Sequence, residues 1–143
     1  MLATGCTAVT VRPNTRPLPG AVADTLKGVP PDSVIRSLAA EVTSRGLKVR
    51  RQSAAEGYLE TEWHDLRSAK PVGADHRASD HVVKLRVWAD PLPPDETIVV
   101  LEAAYRRSTD PSQPSRELEV LAARSHPADS LVRQLLRALE THP

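Results

Sequence analysis

Two runs of alternating residues constrain the fold of this chain more than any other feature. The run at 81–90 reads HVVKLRVWAD and the run at 97–107 reads TIVVLEAAYRR, with apolar side chains at every second position. A period of two with one apolar side predicts strands of an antiparallel sheet that is covered on one face. The segment PLPPDE at 91–96 separates the two runs and predicts a turn.

The two runs therefore predict a β-hairpin with a definite register. If the hairpin is centred on Pro93, Leu85 lies opposite Leu101 on the apolar face. The same register places Lys84 opposite Glu102 on the other face, where opposite charges on facing strands contribute about 0.2–1 kcal/mol.

Helical periodicity appears on both sides of these strands. The stretch VIRSLAAEVTSRG at 34–46 and the stretch SHPADSLVRQLLRALE at 125–140 each carry apolar residues at intervals of three and four, which predicts two amphipathic helices. Additional strands are predicted at 47–51, 57–63 and 117–123. The order predicts an α+β domain: an antiparallel sheet of four to five strands with two helices packed on one face, an arrangement like the helix-grip fold.

Composition limits the classes of function. The chain has 143 residues, contains no Phe and carries a net charge of +1, so one domain with an aliphatic core is expected. Basic and acidic residues are interleaved, whereas nucleic-acid binders usually concentrate Lys and Arg on one surface. We therefore expect no nucleic-acid partner, and no apolar run approaches the roughly 20 residues that span a bilayer.

The single cysteine, Cys6, follows Leu2-Ala3-Thr4-Gly5. This pentapeptide resembles the lipobox of bacterial lipoproteins, which implies lipidation of Cys6, a membrane anchor and a leader that lies mostly outside this chain. Three acyl chains would anchor the protein permanently, since one alone binds only marginally. Thr7 stands where an Asp signals retention in the inner membrane of enterobacteria, so the resemblance favours the outer membrane, with the protein facing the periplasm.

The proline-rich stretch after Cys6 predicts the division of the chain. Residues 7–20 contain three prolines and no helical or strand period, and such sequences act as semi-rigid spacers. Residues 1–20 are therefore interpreted as a lipobox remnant with a disordered tether, and residues 21–143 as a single α+β domain.

The stretch SRGLKVRRQSAAEGYLETEW at 44–63 is similar to the NlpB/DapX (BamC-like) outer-membrane lipoproteins. Gly46, Gly57 and Trp63 are the matching positions, within a similarity of pattern over about residues 32–107. The resemblance implies a helix-grip domain behind a lipidated tether and a non-enzymatic role in envelope assembly with a protein partner.

A polar loop between predicted strands holds the candidates for a metal site. Its histidine and aspartate side chains could converge on an ion such as zinc. These residues are His64, Asp65, Asp75, His76, Asp80 and His81. No pair has the spacing of a zinc-binding helix, and loops gather polar residues in any case, so we expect no metal and no other cofactor.

The remaining sequence contains neither a nucleophile elbow nor a phosphate loop. Glu60 and Glu62 lie on one strand face, where Lys84 and Arg86 are expected to neutralise them, and the pair is interpreted as part of a solvated face. Trp88, Ile98 and Val100 interrupt the charged side of the hairpin, and an exposed aromatic residue among aliphatic ones predicts a partner surface. The alternative is that the loop at 108–116 or the tether covers this surface. The leading hypothesis is a lipid-anchored interaction module; the alternatives are a small-ligand carrier and a metal-dependent enzyme.

Overall fold

The computed structural model describes residues 10–141. Cys6 and the rest of the proposed lipobox lie outside the described residues. Within this range the elements are β1 (Val22–Lys27), α1 (Pro31–Ser44), β2 (Val49–Ser53), β3 (Tyr58–Thr61), β4 (His64–Asp65), β5 (Lys70–Pro71), β6 (Ser79–Leu92), β7 (Glu96–Arg106), a 3-10 turn (Ser115–Leu118), β8 (Glu119–Leu121) and α2 (Pro127–Thr141). The α+β class predicted from the sequence is confirmed.

The strands form one antiparallel sheet, eight in number over residues 10–141. The main path runs β1-β7-β6-β3-β2, and the short strands β4, β5 and β8 extend it. β1 and β8 pair with the same edge of β7, β1 along residues 96–101 and β8 along residues 104–106. The sequence predicted four to five strands, and the additional ones are β1 and the two-residue strands β4 and β5.

The central hairpin forms as predicted, but its register differs by two residues. Leu85 pairs with Ala103 and Arg86 pairs with Glu102, whereas the prediction placed Lys84 opposite Glu102. The reason is the turn: Leu92 pairs with Glu96, so the hairpin is centred on Pro94 instead of Pro93. Because the shift is an even number, each side chain keeps its predicted face.

Both helices cover one face of the sheet. The apolar residues of α1 and α2 join the odd-numbered residues of β6 and β7 in a single core. Gly46 adopts a φ of +86° just after α1, in the left-handed conformation that glycine provides at helix ends. The imidazole of His126 accepts the N–H of Ala128 at the start of α2. α1 begins at Pro31, after Pro30, with no side-chain cap.

The opposite face of the sheet, which we call the outer face, is crossed by residues 10–20, the N-terminal segment. Glu56 accepts the backbone N–H groups of Val11 and Arg12, and the Arg12 guanidinium pairs with Asp90 at 2.7 Å. Further along, Leu18 N–H donates to Glu102 at 2.8 Å. The sequence predicted a disordered tether up to residue 20, whereas residues 10–20 lie against the domain.

No helix within residues 10–141 is long and apolar enough to cross a membrane.

Candidate functional site

The outer face of the sheet carries a row of charged side chains on neighbouring strands. Glu60 of β3 pairs in register with Arg86 of β6, and Arg86 pairs with Glu102 of β7. Residues that lie directly opposite one another on adjacent strands project from the same face. The strand register therefore places a guanidinium between two carboxylates, in the order acid, base, acid across the sheet.

Arg86 is the centre of an ionic network that we define as Glu60, Arg86, Glu102, Arg116 and Glu119. Its Nε donates to Glu60 at 3.1 Å, Nη1 donates to Glu102 at 3.0 Å, and both Nη atoms bind Glu119 at 2.7 and 2.9 Å. Burial opposes the charge of Arg86, but the bonds and charges of Glu119 and Glu102 outweigh it and raise the pKa of Arg86.

Arg116 joins this network to the N-terminal segment. It donates to Glu102 at 2.7 Å and to Glu119 at 2.8 Å, and its other Nη atom donates to the carbonyl of Arg16 at 2.7 Å. Burial alone would raise the pKa of Glu119, but the hydrogen bonds and charges of Arg86 and Arg116 lower it. Two segments distant in sequence are therefore held together over the outer face.

Glu60 lies at the other end of the network and is 5 % exposed, so its interpretation as a solvated residue is wrong. The Tyr58 hydroxyl donates to Glu60 Oε1 at 2.8 Å. Burial raises the pKa of Glu60, but this hydrogen bond together with Lys84 and Arg86 lowers it overall. The pKa of Tyr58 is raised, first by burial and then by its bond to Glu60. Glu62, by contrast, is partly exposed.

Lys84 differs from the other cations because it is buried without a close partner. The residue is 4 % exposed, yet its Nζ makes no hydrogen bond within residues 10–141, and its nearest carboxylate oxygen, on Glu60, lies 3.9 Å away. The ammonium lies 4.9 Å from the centroid of the Trp63 ring. Burial lowers the pKa of Lys84 to about 8, partly offset by Glu60 and reinforced by Arg86.

The Trp63 ring forms an apolar wall beside two cations. The Arg106 guanidinium lies 5.0 Å from the same ring centroid, and the His76 ring lies 4.8 Å from it. Arg106 donates through Nη2 to the carbonyl of Ala74 at 2.8 Å, but its buried Nε has no partner in the described part of the chain. Burial is the main cause that lowers the pKa of His76, and the nearby charges of Arg106 and Lys84 lower it further.

These side chains surround an open cleft of about 330 Å³ on the outer face. Its lining consists of parts of the N-terminal segment, the sheet and the 3-10 turn. The residues are Pro13, Thr15, Arg50, Arg51, Glu60, Trp63, Ala74, Lys84, Arg86, Arg106, Ser115, Arg116 and Glu119. Six of them are Lys or Arg, and two, Glu60 and Glu119, are acidic. Glu102 does not line the cleft but pairs with Arg86, so six cations and three carboxylates leave a net positive charge of three in and around the cleft.

Trp63 reaches this cleft because β3 ends early. The alternation at 57–63 predicted Trp63 on the apolar face beside Leu59, but β3 ends at Thr61 and the chain resumes pairing at β4. The Thr61 hydroxyl accepts the backbone N–H of Leu85 at 3.0 Å and takes the place of a backbone acceptor. Because of this interruption, the Trp63 side chain lies on the outer face, in the lining of the cleft.

The predicted metal candidates are spread over separate surroundings. His64 is buried in β4, and burial lowers its pKa, while His76 lies against Trp63 and Arg106. His81 lies 4.0 Å from Asp65 and 3.5 Å from Asp80, and Asp75 is exposed. Over residues 10–141, no group of three or more His, Cys, Asp or Glu side chains is placed to hold a metal ion.

The predicted partner surface is mostly covered. Trp88 is only 3 % exposed, and its ring packs 5.8 Å from that of Tyr58, so the prediction of an exposed aromatic residue is wrong. Ile98 and Val100 are partly exposed. The N-terminal segment crosses this face, which agrees with the alternative that the tether covers it.

Comparison with known proteins adds no family. No protein-family model matches the chain, and no curated protein matches it.

The sequence pattern predicted that Arg86 neutralises Glu60, and the structure confirms this pair, but the pattern does not show that the two charges are buried. Arg116 and Glu119 belong to a segment that follows the hairpin in the chain, and nothing in their spacing connects them with it. The available signal was Tyr58, Trp88 and Val100, large apolar residues on the side assigned to solvent. Such residues indicate that a sheet face is covered on that side too.

Proposed function

We propose that this chain is the folded domain of a bacterial envelope lipoprotein that is anchored through Cys6 and binds a protein partner without catalysis. The observation that carries the interaction role is the open cleft on the outer face, whose walls are charged side chains that are already held in place by the ionic network. Preorganised polar groups around an open site favour binding, since the binding partner meets side chains whose positions are fixed.

The anchoring role is supported by the residues before the N-terminal segment. LATGC at 2–6 resembles a lipobox, and among residues 10–141 the first backbone contact of the N-terminal segment with the domain is that of Val11 with Glu56. Five residue steps separate Cys6 from Val11, and an extended chain covers at most about 3.6 Å per residue. A lipidated Cys6 would therefore hold the domain within about 18 Å of its anchor point, which is a short connection and not a long spacer.

The placement of the contact determines which end of the domain would face the lipid. Val11 and Arg12 bind Glu56 and Asp90, which lie where β3 begins and near the tip of the β6–β7 hairpin. That end would lie nearest the bilayer, and the cleft would open toward the side. In the NlpB/DapX-like interpretation, the location is the outer membrane, with the domain in the periplasm.

The ligand-carrier alternative has less support. It would require a cavity between the helices and the sheet, bounded by leucines of both layers. Leu38, Leu85, Leu101 and Leu135 are at most 1 % exposed and belong to one continuous core. A pocket of about 230 Å³ does lie between α2 and β7, and Leu101 lines it, but Arg124, Asp129 and Arg133 belong to the same lining, so it is not a cavity enclosed by leucines of both layers. The enzyme alternative required His64, His76 and His81 to converge, and they lie in the three separate surroundings described above. These observations favour the interaction module.

The anchoring proposal is tested by expressing the protein from its natural gene and separating membrane from aqueous fractions. We expect the wild-type protein in the membrane fraction, with a peptide mass that shows a lipid-modified Cys6. The variant Cys6→Ser should move to the aqueous fraction, whereas the control Thr7→Ser should stay with the membrane. A wild-type protein that remains in the aqueous fraction with a free Cys6 thiol would contradict the proposal.

A further inference from the structure

We propose that the cleft on the outer face binds a carboxylate group presented by a short protein segment, with Lys84 as its principal contact and Arg50 and Arg106 beside it. This inference deepens the proposed interaction role and rests on it for the ligand being a protein. The ligand class follows from the donors that the domain leaves unused and from the charge of the cleft.

The first argument is the unused hydrogen-bonding capacity of Lys84. An ammonium group has three donors, and that of Lys84 uses none of them within residues 10–141, although the side chain is 5 % exposed. Because Lys84 lines the open cleft, these donors are available to a ligand that enters it. A carboxylate in the cleft would supply acceptors at hydrogen-bond distance to a charge that is otherwise only weakly paired with Glu60.

The second argument is that a second cation lines the same cleft. Arg106 is 8 % exposed, and its Nε has no partner in the part of the chain that the structure describes. Its guanidinium lies 5.0 Å from the centroid of the Trp63 ring, and the Lys84 ammonium lies 4.9 Å from the same centroid. Arg106 therefore adds positive charge beside Lys84, although its buried Nε is not open to a ligand.

The third argument is the balance of charge. The carboxylates of Glu102 and Glu119 form ion pairs with Arg86 and Arg116. The nearest carboxylate to both Arg50 and Lys84 is therefore that of Glu60, whose Oε2 lies 3.8 Å from Arg50 Nη1 and 3.9 Å from Lys84 Nζ. An anion would therefore enter a positive field at the Arg50 side of the cleft. That side is open, since the Arg50 side chain is 46 % exposed on the edge strand β2.

The apolar wall of the cleft favours a carboxylate on an aliphatic stem over a free phosphate. Trp63 supplies an apolar wall beside the cations, which suits the aliphatic part of a glutamate side chain. The recognised group is therefore the side-chain carboxylate of a protein segment.

The test uses the full chain and three probes: the capped peptide Ac-Ala-Glu-Ala-NH2, its glutamine counterpart, and inorganic phosphate. Backbone amide shifts are followed by NMR at 50 mM NaCl. We expect the glutamate peptide to bind with shifts centred on the residues around Trp63 and Lys84. The glutamine peptide should bind at least tenfold more weakly, and phosphate should bind more weakly than the glutamate peptide.

Two variants locate the site, each with a matched control. Lys84→Met should weaken binding of the glutamate peptide at least tenfold, while Lys27→Met, at an exposed end of β1, should leave it unchanged. Arg50→Gln tests the exposed side of the cleft, where the substitution places no polar group in the core. It should weaken binding of the glutamate peptide severalfold, whereas the control Arg36→Gln on α1 should leave that binding unchanged. Retained binding in both cleft variants would overturn the inference, as would equal binding of the two peptides or tighter binding of phosphate.

The pH dependence is a readout that a structural role alone would not produce. The groups that face Lys84 and set its charge are Glu60, Arg50, Arg86, Glu119, Arg106 and His76. Because the pKa of Lys84 is about 8, the affinity for the glutamate peptide should fall between pH 7 and 9, and it should not fall in Lys84→Met. Neither peptide binding nor its pH dependence depends on lipidation of Cys6, so failure here is distinguishable from failure of the anchoring proposal.

Discussion

Replacement of Arg86 by an uncharged residue of similar length should greatly lower the free energy of unfolding of the domain. The Arg86 guanidinium makes four hydrogen bonds to Glu60, Glu102 and Glu119, and its side chain is 8 % exposed. Arg86→Met keeps a long side chain but removes a positive charge, so the buried carboxylates of Glu60, Glu102 and Glu119 lose a partner that neutralises them. Removing one partner of a buried ion pair costs about 3–5 kcal/mol, so we expect the free energy of unfolding to fall by about that amount.

Urea denaturation followed by tryptophan fluorescence measures this loss, since Trp63 and Trp88 are both buried and report the folded state. With a denaturant slope of about 2 kcal/mol/M, the midpoint should fall by about 1.5–2.5 M. The matched control is Arg36→Met on α1. Arg36 also makes a 2.9 Å ion pair, with Asp32, but its side chain is 65 % exposed. Exposed pairs of this kind contribute about 0.5 kcal/mol or less.

The pH dependence distinguishes lost charge pairing from lost packing. In the wild-type protein, the lowered pKa values of Glu60 and Glu119 give stability that is present above their unfolded values and lost as pH falls through the folded ones. Arg86→Met removes the cation that lowers both. The difference in unfolding free energy between wild type and variant should therefore shrink from pH 7 to about pH 4. A difference that is independent of pH, or as small as that of Arg36→Met, would refute the ionic explanation.

Two further predictions concern the backbone and the N-terminal segment. Gly57 has a φ of +67°, and a Cβ there would lie 2.0 Å from the carbonyl oxygen of Ala89, so Gly57→Ala should cost about 3 kcal/mol or more. Gly28→Ala, at a φ of +73° with open space around it, should cost about 1 kcal/mol; equal losses in urea denaturation would contradict the clash. Glu56→Ala removes the acceptor of the Val11 N–H, so hydrogen exchange at that amide should accelerate at least tenfold while global stability falls by less than about 1 kcal/mol. Unchanged exchange at Val11 would show that the contact with Glu56 does not hold the segment.

The elements that the sequence predicted are those that repeat a buried face over several turns or pleats. β6, β7 and both helices have such repeats, because one side of each lies in the core. β1 was missed because Leu26 is its only buried residue, so its alternation carries little apolar signal. The hairpin register was wrong because a shift of two residues leaves every side chain on the same face. Only the turn distinguishes the two registers, and three prolines within four residues left its centre ambiguous.

The candidate site could not be predicted because it is assembled by segments far apart in the chain. Glu102 meets Arg116 and the Leu18 N–H only after residues 10–20 and 115–119 lie across the same strands. In the sequence, Glu60 and Arg86 have the composition of a solvated strand face, and burial changes their chemistry only when these segments cover them. The sequence identifies the charged residues, but it does not predict that residues 10–20 and 115–119 lie over them.

The contacts of residues 10–20 are arranged one after another along the segment, and this arrangement decides how the domain responds to mechanical load. Within the described residues, a pull from the N-terminal side reaches the contacts of Val11 and Arg12 first, then those of Arg16 and Leu18, and only afterwards the ladder between β1 and β7. Contacts that are loaded one after another break one at a time, each at a lower force than the whole set loaded together. The hydrophobic core would therefore carry tension only after these surface contacts had opened.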